Sequence, residues 1–384
     1  MDYRSCVRAT RSLSEGEDAF FGALERAPGF DAARFASFLA DHRLLEWVAP
    51  IADDERARSY FPGAWLEQLH ARRAEQAARS RKMLADSDEV RRAFAEQGIE
   101  CLFLKGLYFG ERFYGDVHRR YQRDIDVLVR LPELPRALEA LWRLDYSETN
   151  VDDGKPVARG LHEIQHGDRT RAPHGLTLSR GQDWVDVHWC LSSRSVHRID
   201  EQRLWNARSR FRLAEHVFDT LADDDTLMFV LVSLAMDLKR GACKAKHFLD
   251  LYLILRTLGR DLDWEAFLQR RRAEGLAKVS VNVLALLLCL WDCRREFPGL
   301  VRVLARKARL LEIETEQEAL ALATRPRRNR ENRVWFRRVY PRTPLRHWAW
   351  RLSRDLPHTV GRMARPRESS PLLGAPDDAA EQRR

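Results

Sequence analysis

Three stretches of the 384-residue chain bring together residue types that can act on phosphates. Arg120-x-x-Arg123-Asp124-Ile125-Asp126-Val127-Leu128-Val129 alternates acidic and apolar side chains, and Trp184-Val185-Asp186-Val187-His188-Trp189 repeats the alternation. Leu104-Lys105-Gly106 closes a short apolar run. Residues two apart on a strand face the same side. Asp124 and Asp126 therefore share one face, while Ile125, Val127 and Val129 point into a core. Two anions at that spacing repel one another unless something neutralises them. Hard carboxylate oxygens suit Mg²⁺ or Mn²⁺, ions that keep several waters and bind substrate phosphates. Alone, a D-x-D pair is more simply a solvated strand face. If the Asp186 strand lies beside that pair, three carboxylates converge, enough to hold two metal ions about 3.5–4 Å apart. His188 shares the face of Asp186 and is expected to be a strand histidine hydrogen-bonded to a neighbour.

Lys105-Gly106 stands where a strand turns into a helix. Glycine allows close backbone approach, and a helix N-terminus offers free amides to a phosphate. Lys105, Arg120 and Arg123 supply positive charge for the same anion, although an ordinary tight turn and arginines that merely neutralise the aspartates would look alike in sequence. Trp184 and Trp189 are expected to pack between sheet and helices. The group Lys244, Lys246, His247 and Asp250 is ambiguous between the site and a charged helix start.

The elements that must position these residues follow from periodicity. Residues 1–97 have a helical pattern, with Phe20, Phe21, Leu24, Phe35, Phe38 and Leu39 at three-to-four spacing. Ser14-x-x-Glu17 has capping-box form and is expected to start the first helix. Strands are expected over 99–104, 123–129, 161–166, 175–178 and 184–189, with helices over 107–113 and 132–144. That makes an α/β (α+β) unit over 98–192, a small mixed sheet with helices. Residues 193–310 are helical again, with segments at 226–239, 247–258, 263–273 and 278–293, and Asp223-Asp224-Asp225 suits a helix start. A basic Arg/Trp-rich segment follows over 311–365, and 366–384, with Pro366, Pro371 and Pro376, is expected to be disordered.

Composition limits the partners. With 45% apolar and 32% charged residues the chain is globular, and its net charge of +9 favours anions. Trp335, Trp348 and Trp350 among arginines could stack on nucleic-acid bases, but a solvated basic helix face is the simpler expectation. The six cysteines form no C-x-x-C pair and are expected to be free thiols in a reducing cytoplasm, with Cys289 and Cys293 on one face of a buried helix. The longest apolar runs, 227–236 and 279–291, fall short of the about 20 residues a membrane helix needs, and the polar N-terminus carries no signal-peptide core.

The ordered set of a strand, a Gly at a helix start, D-x-D on the next strand and a further Asp on a later strand resembles the polymerase-β-like nucleotidyltransferase superfamily. More closely, Leu104-Lys105-Gly106, Arg120 before Asp124-Ile125-Asp126, Asp186-Val187-His188-Trp189, and Phe248-Leu249-Asp250-Leu251 with Asp263-Trp264 resemble the bacterial family of uncharacterised nucleotidyltransferases, over roughly residues 40–300. The resemblance implies a nucleotidyltransferase core with helical flanks. It implies transfer of a nucleoside monophosphate from an NTP, ATP first among them, to an unknown acceptor. Asp124, Asp126 and Asp186 would be catalytic metal ligands for Mg²⁺ or Mn²⁺, with Lys105, Gly106, Arg120 and Arg123 at the phosphates. Leu107 departs from the Ser or Gly usual after the glycine, and the gap from Gly106 to Asp124 is longer than usual. A catalytically degenerate binding module is the alternative.

Overall fold

The computed structural model describes residues 2–148, 175–192, 197–313, 315–324 and 329–340. The expected strand over 161–166, Trp348, Trp350 and the tail over 366–384 lie outside them. Seven strands form one mixed sheet: β1 (Cys101–Phe103), β2 (Asp124–Val129), β3 (Ser147–Glu148), β4 (Gly175–Arg180), β5 (Asp183–His188), β6 (Ser209–Leu213) and β7 (His216–Thr220). Their order is β3-β4-β5-β2-β1-β7-β6. β2 runs antiparallel to β1 and parallel to β5, and the β2–β5 register sets Asp124 opposite Trp184 and Asp126 opposite Asp186.

The helices used below are α1 (Tyr3–Ser12), α2 (Glu17–Glu25), α3 (Ala32–Asp41), α4 (Gly63–Glu96), α5 (Leu107–Arg112), α6 (Leu134–Arg143), α7 (Glu201–Asn206), α8 (Asp223–Arg240), α9 (Ala245–Leu258), α10 (Trp264–Ala273) and α11 (Ala277–Leu290). Alternation along the central strands splits the sheet into two faces. Ile125, Val127, Val185 and Val187 bury on one face against Val90 and Phe94 of α4 and Leu138 and Leu141 of α6. On the other, Leu102, Leu104 and Leu128 pack under Met228, Phe229 and Val232 of α8. The carboxylates of β2 emerge on the α8 side.

The helices before and after the sheet share one large core, in which Phe20, Phe35 and Trp47 join Leu249, Tyr252 and Leu284. Residues 1–342 behave as one compact unit. A buried polar cluster ties this helical body to the sheet. Asp250 of α9 accepts from Arg120 Nε at 2.8 Å and Nη2 at 3.0 Å, from Tyr114 Oη at 2.7 Å and from Lys246 Nζ at 3.0 Å. Burial alone would raise the Asp250 carboxyl. Arg120, Lys246 and the Tyr114 hydroxyl outweigh it and hold the group well below the usual carboxylate range. Burial and the Arg120 charge in turn bring Lys246 down to about 8.

Several expectations need correction. Ser14 does not cap a helix. α1 begins at Tyr3, capped by the Asp2 side chain, and a 3₁₀ turn over Leu13–Glu15 keeps Ser14 helical, so it lacks the extended backbone of a capping residue. Gly16, at φ 117°, starts α2 instead. Cys289 and Cys293 do not share a helical face, because α11 ends at Leu290 and Asp292 turns the chain at φ 49°. The β6–β7 hairpin was not expected. Its Ala214-Glu215 turn places Ala214 at φ 51°, a conformation normally signalled by Gly or Asn. α4 is one continuous 34-residue helix. Among the described residues, no helix is long and apolar enough to cross a membrane.

Two stability predictions follow from these contacts. Asp250→Ala strands two buried cations, and a loss of about 3–5 kcal/mol in chemical denaturation is expected. The second concerns His42, whose Nδ1 accepts the Ala245 N–H at 3.1 Å, closing the end of α3 onto the start of α9. Burial, helped by Lys244, pushes His42 down to about 4. An unfolded histidine titrates near about 6.5. The unfolded chain therefore binds more protons, and this contribution is complete above pH ~6.5 and is lost as pH falls toward ~4. His42→Gln should show a shallower fall in denaturation midpoint than wild type across that window.

Candidate active site

Alternation and register build the site. Asp124 and Asp126 occupy the same face of β2, as expected, and the parallel pairing of β5 sets Asp186 beside Asp126. His188 Nε2 lies 3.2 Å from Asp126 Oδ1. One ligand atom each from Asp126, Asp186 and His188 falls within 4.8 Å of the others, a grouping fit for a metal ion. Asp124 sits one step along the same face but is not in that group. Thus the strand histidine expected only to bond a neighbour bonds the central carboxylate. Its position on the Asp186 face was readable from alternation, but its partner on β2 was not.

A neighbour without a side chain makes room for the imidazole. Gly175 of β4 is the register partner of His188, and a Cβ there would lie 2.9 Å from His188 Nδ1. That is closer than a real Cβ approaches, so any larger residue pushes the ring away from its present place.

The electrostatics are unequal across the cluster. Burial, reinforced by Asp126 and Asp186, raises Asp124 to about 6. Burial also acts on Asp126, but the Lys105 ammonium and the His188 contact overcome it and bring that carboxyl down to about 2. Asp186 is raised by burial and by Asp126, and its Oδ1 is buried without a hydrogen-bond partner. An orphaned buried carboxylate oxygen beside two further carboxylates is short of positive charge. The donor set fits an oxygen-seeking divalent cation such as Mg²⁺ or Mn²⁺, held by Asp126 and Asp186 with Asp124 and His188 beside them.

The cluster lies in a cleft of about 500 Å³ between the sheet and the helical body, a volume suited to a small-molecule ligand. Lys105 lines it with Nζ 4.5 Å from the Phe229 ring centroid. The Arg123 guanidinium lies 4.1 Å over the Trp184 ring, a cation–π contact that leaves Arg123 facing the same cleft. Trp184 is therefore part of the cleft wall. Trp189 packs in the core under the sheet, as expected. Arg120 also lines the cleft, but its guanidinium is bidentate with Asp250, so its first partner is a protein carboxylate. Gly106 adopts φ 53°, ψ −121°, accessible only to glycine, and caps α5. It borders a narrow crevice beside Asp124 and Asp126 rather than the main cleft. Asp237, Arg240, Lys246 and His247 of α8 and α9, together with Arg43, form the opposite wall. Lys246, His247 and Asp250 of the ambiguous sequence group thus all face the site.

Comparison with known proteins adds a family. No curated protein matches the chain. Among solved structures, the antibiotic-resistance factor ANT(2'')-Ia is similar at 11% identity and a TM-score of 0.36, covering 50% of this chain and 93% of that one. The family described as uncharacterised nucleotidyltransferase matches residues 28–292, which include β1 to β7 and helices α3 to α11 in full. With the aspartates of β2 and β5, the cleft and most of the helical body inside that match, the chain belongs to the uncharacterised nucleotidyltransferase family.

Proposed function

We propose that the cleft transfers a nucleoside monophosphate from an NTP, ATP being the first to test, to an acceptor bound against the helical wall. The observation that carries this reading is the alignment of Asp126 with Asp186 on parallel neighbouring strands, with Asp124 on the same face. In the reaction, an acceptor oxygen bonds to the α-phosphorus as the bond to the β-phosphate oxygen breaks. Pyrophosphate leaves, and the acceptor proton passes to Asp186, which lies beside Asp126 on the neighbouring strand. A bound Mg²⁺ or Mn²⁺ pair supplies charge neutralisation at the attacking and leaving oxygens. The chain itself does the positioning. Asp124, Asp126 and Asp186 are the metal ligands and catalytic residues of this reading. His188 fixes the Asp126 carboxylate, and Lys105 and Arg123 bring charge to the triphosphate, with Gly106 and Arg120 alongside. The six free cysteines support a cytoplasmic setting.

The test is calorimetric titration of the four NTPs with and without Mg²⁺. Wild type is expected to bind at least one NTP only when Mg²⁺ is present. Asp126→Asn should lose metal affinity and more than about 10²-fold in turnover, on the scale of losing one preorganised charge contact. A folded wild-type protein that binds no NTP would overturn the transfer reading in favour of a degenerate binding module.

Gly175→Ala offers a second check that leaves all three carboxylates in place. It is expected to shift His188 off Asp126 and weaken Mn²⁺ binding by about 10-fold, as outer-shell changes typically do. Metal binding equal to wild type would show that the imidazole contact does not matter.

A further inference from the structure

Arg43 stands where a helix ends in a way that favours glycine. It has φ 57°, its N–H donates to Ala40 O at 3.2 Å, and the Leu44 N–H donates to Leu39 O at 2.9 Å, closing α3. Glycine takes that left-handed conformation without strain, whereas a side chain there is disfavoured. Nor is the strained residue buried in the core. Its guanidinium lies 5.1 Å from the Tyr121 ring centroid and lines the cleft. Strain held at a residue that faces a ligand cavity points to use of that side chain.

Arg240 is the second half of the feature. It is the last residue of α8, just before the left-handed Gly241. His42, next to Arg43, bonds the N–H groups of Ala245 and Lys246. The end of α3 thus abuts the start of α9, and the short turn after Arg240 brings the end of α8 to the same corner. Both arginines line the cleft beside the half-buried Asp237, whose Oδ2 lies 3.3 Å from His247 Nδ1. Neither reaches a carboxylate within 4.0 Å among the described residues. Two guanidinium groups without a carboxylate partner therefore line the wall across the cleft from the Asp126–Asp186 pair, leaving positive charge for a ligand.

We propose that Arg43 and Arg240 bind an oxyanion, a phosphate or carboxylate, carried by the acceptor. This rests on the transfer reading above, and it narrows the acceptor to an anionic molecule. Guanidinium groups match the paired oxygens of both anions. The site is on the helical wall, whereas Lys105 and the carboxylates that hold the donor belong to the sheet.

The test uses the full chain, with inorganic phosphate and acetate titrated calorimetrically in the absence of Mg²⁺. A non-hydrolysable ATP analogue is then titrated with Mg²⁺. Proteins compared are wild type, Arg43→Gly and Arg240→Gln. At least one anion should bind wild type, and the tighter one names the group. Each substitution should weaken it 10-fold or more while ATP-analogue affinity stays within twofold. Arg43→Gly should also melt no lower than wild type, because glycine fits its backbone, which separates a lost contact from a lost fold. Binding of neither anion, or affinity unchanged in both variants, overturns the proposal. Parallel loss of anion and ATP-analogue binding also overturns it, by assigning the arginines to the donor. Anion binding that depends on both arginines in a protein that binds no ATP analogue upholds the oxyanion site and overturns the transfer reading alone.

Discussion

The buried pairing of Arg120 with Asp250 is the constraint on which the cleft depends. Arg120 lies in the segment that enters β2, four residues before Asp124, and Asp250 lies in the second turn of α9. Their bidentate contact therefore fixes the distance between the strand that bears the carboxylates and the helices that form the opposite wall. A buried ion pair contributes little net stability over an apolar pair of the same shape, but breaking one is costly. Its value is directional. Apolar packing between α8 and the sheet would tolerate sliding, whereas two parallel N–H···O bonds, backed by Tyr114 and Lys246, allow one arrangement.

Charge is distributed around this lock in an uneven way. Asp250 accepts four hydrogen bonds from three residues and is satisfied. Asp126 has His188 and the nearby Lys105 charge. Asp124 and Asp186 have less, and burial raises both. A cluster intended only for stability would have its carboxylates bonded as Asp250 is. The contrast between two buried acidic groups a short distance apart, one saturated and one short of positive charge, separates scaffold from site without reference to any relative.

The cleft walls differ in origin as well as in role. The sheet wall comes from strands whose side chains are held by alternation, and such positions are rigid. The helical wall draws on helix ends: the last turn of α8, the first of α9 and the residue that closes α3. Helix ends are where side chains can vary without disturbing a core. On the proposed transfer reading, chemistry common to a family would fall to the first wall and the choice of acceptor to the second.

Much of the site was legible in the chain itself. The two-residue period of Asp124 and Asp126 fixed their common face, and the matching alternation at Val185, Asp186 and Val187 fixed the face of β5. Helix positions after residue 223 followed from apolar spacing, because each helix buries a face of its own sequence. These are local properties, decided within a few residues by backbone geometry. Tertiary structure decided the rest, for the reason that the partners are remote in sequence. The parallel register that sets Asp126 against Asp186 joins segments 60 residues apart. His188 needs Gly175 beside it to reach Asp126. Arg120 looked like a phosphate ligand because its carboxylate partner lies 130 residues further on. Arg43 carried no signal at all, since a left-handed backbone shows in sequence only when glycine or asparagine occupies it. Sequence by itself determined which side chains share a face, and only the packed chain determined which faces meet.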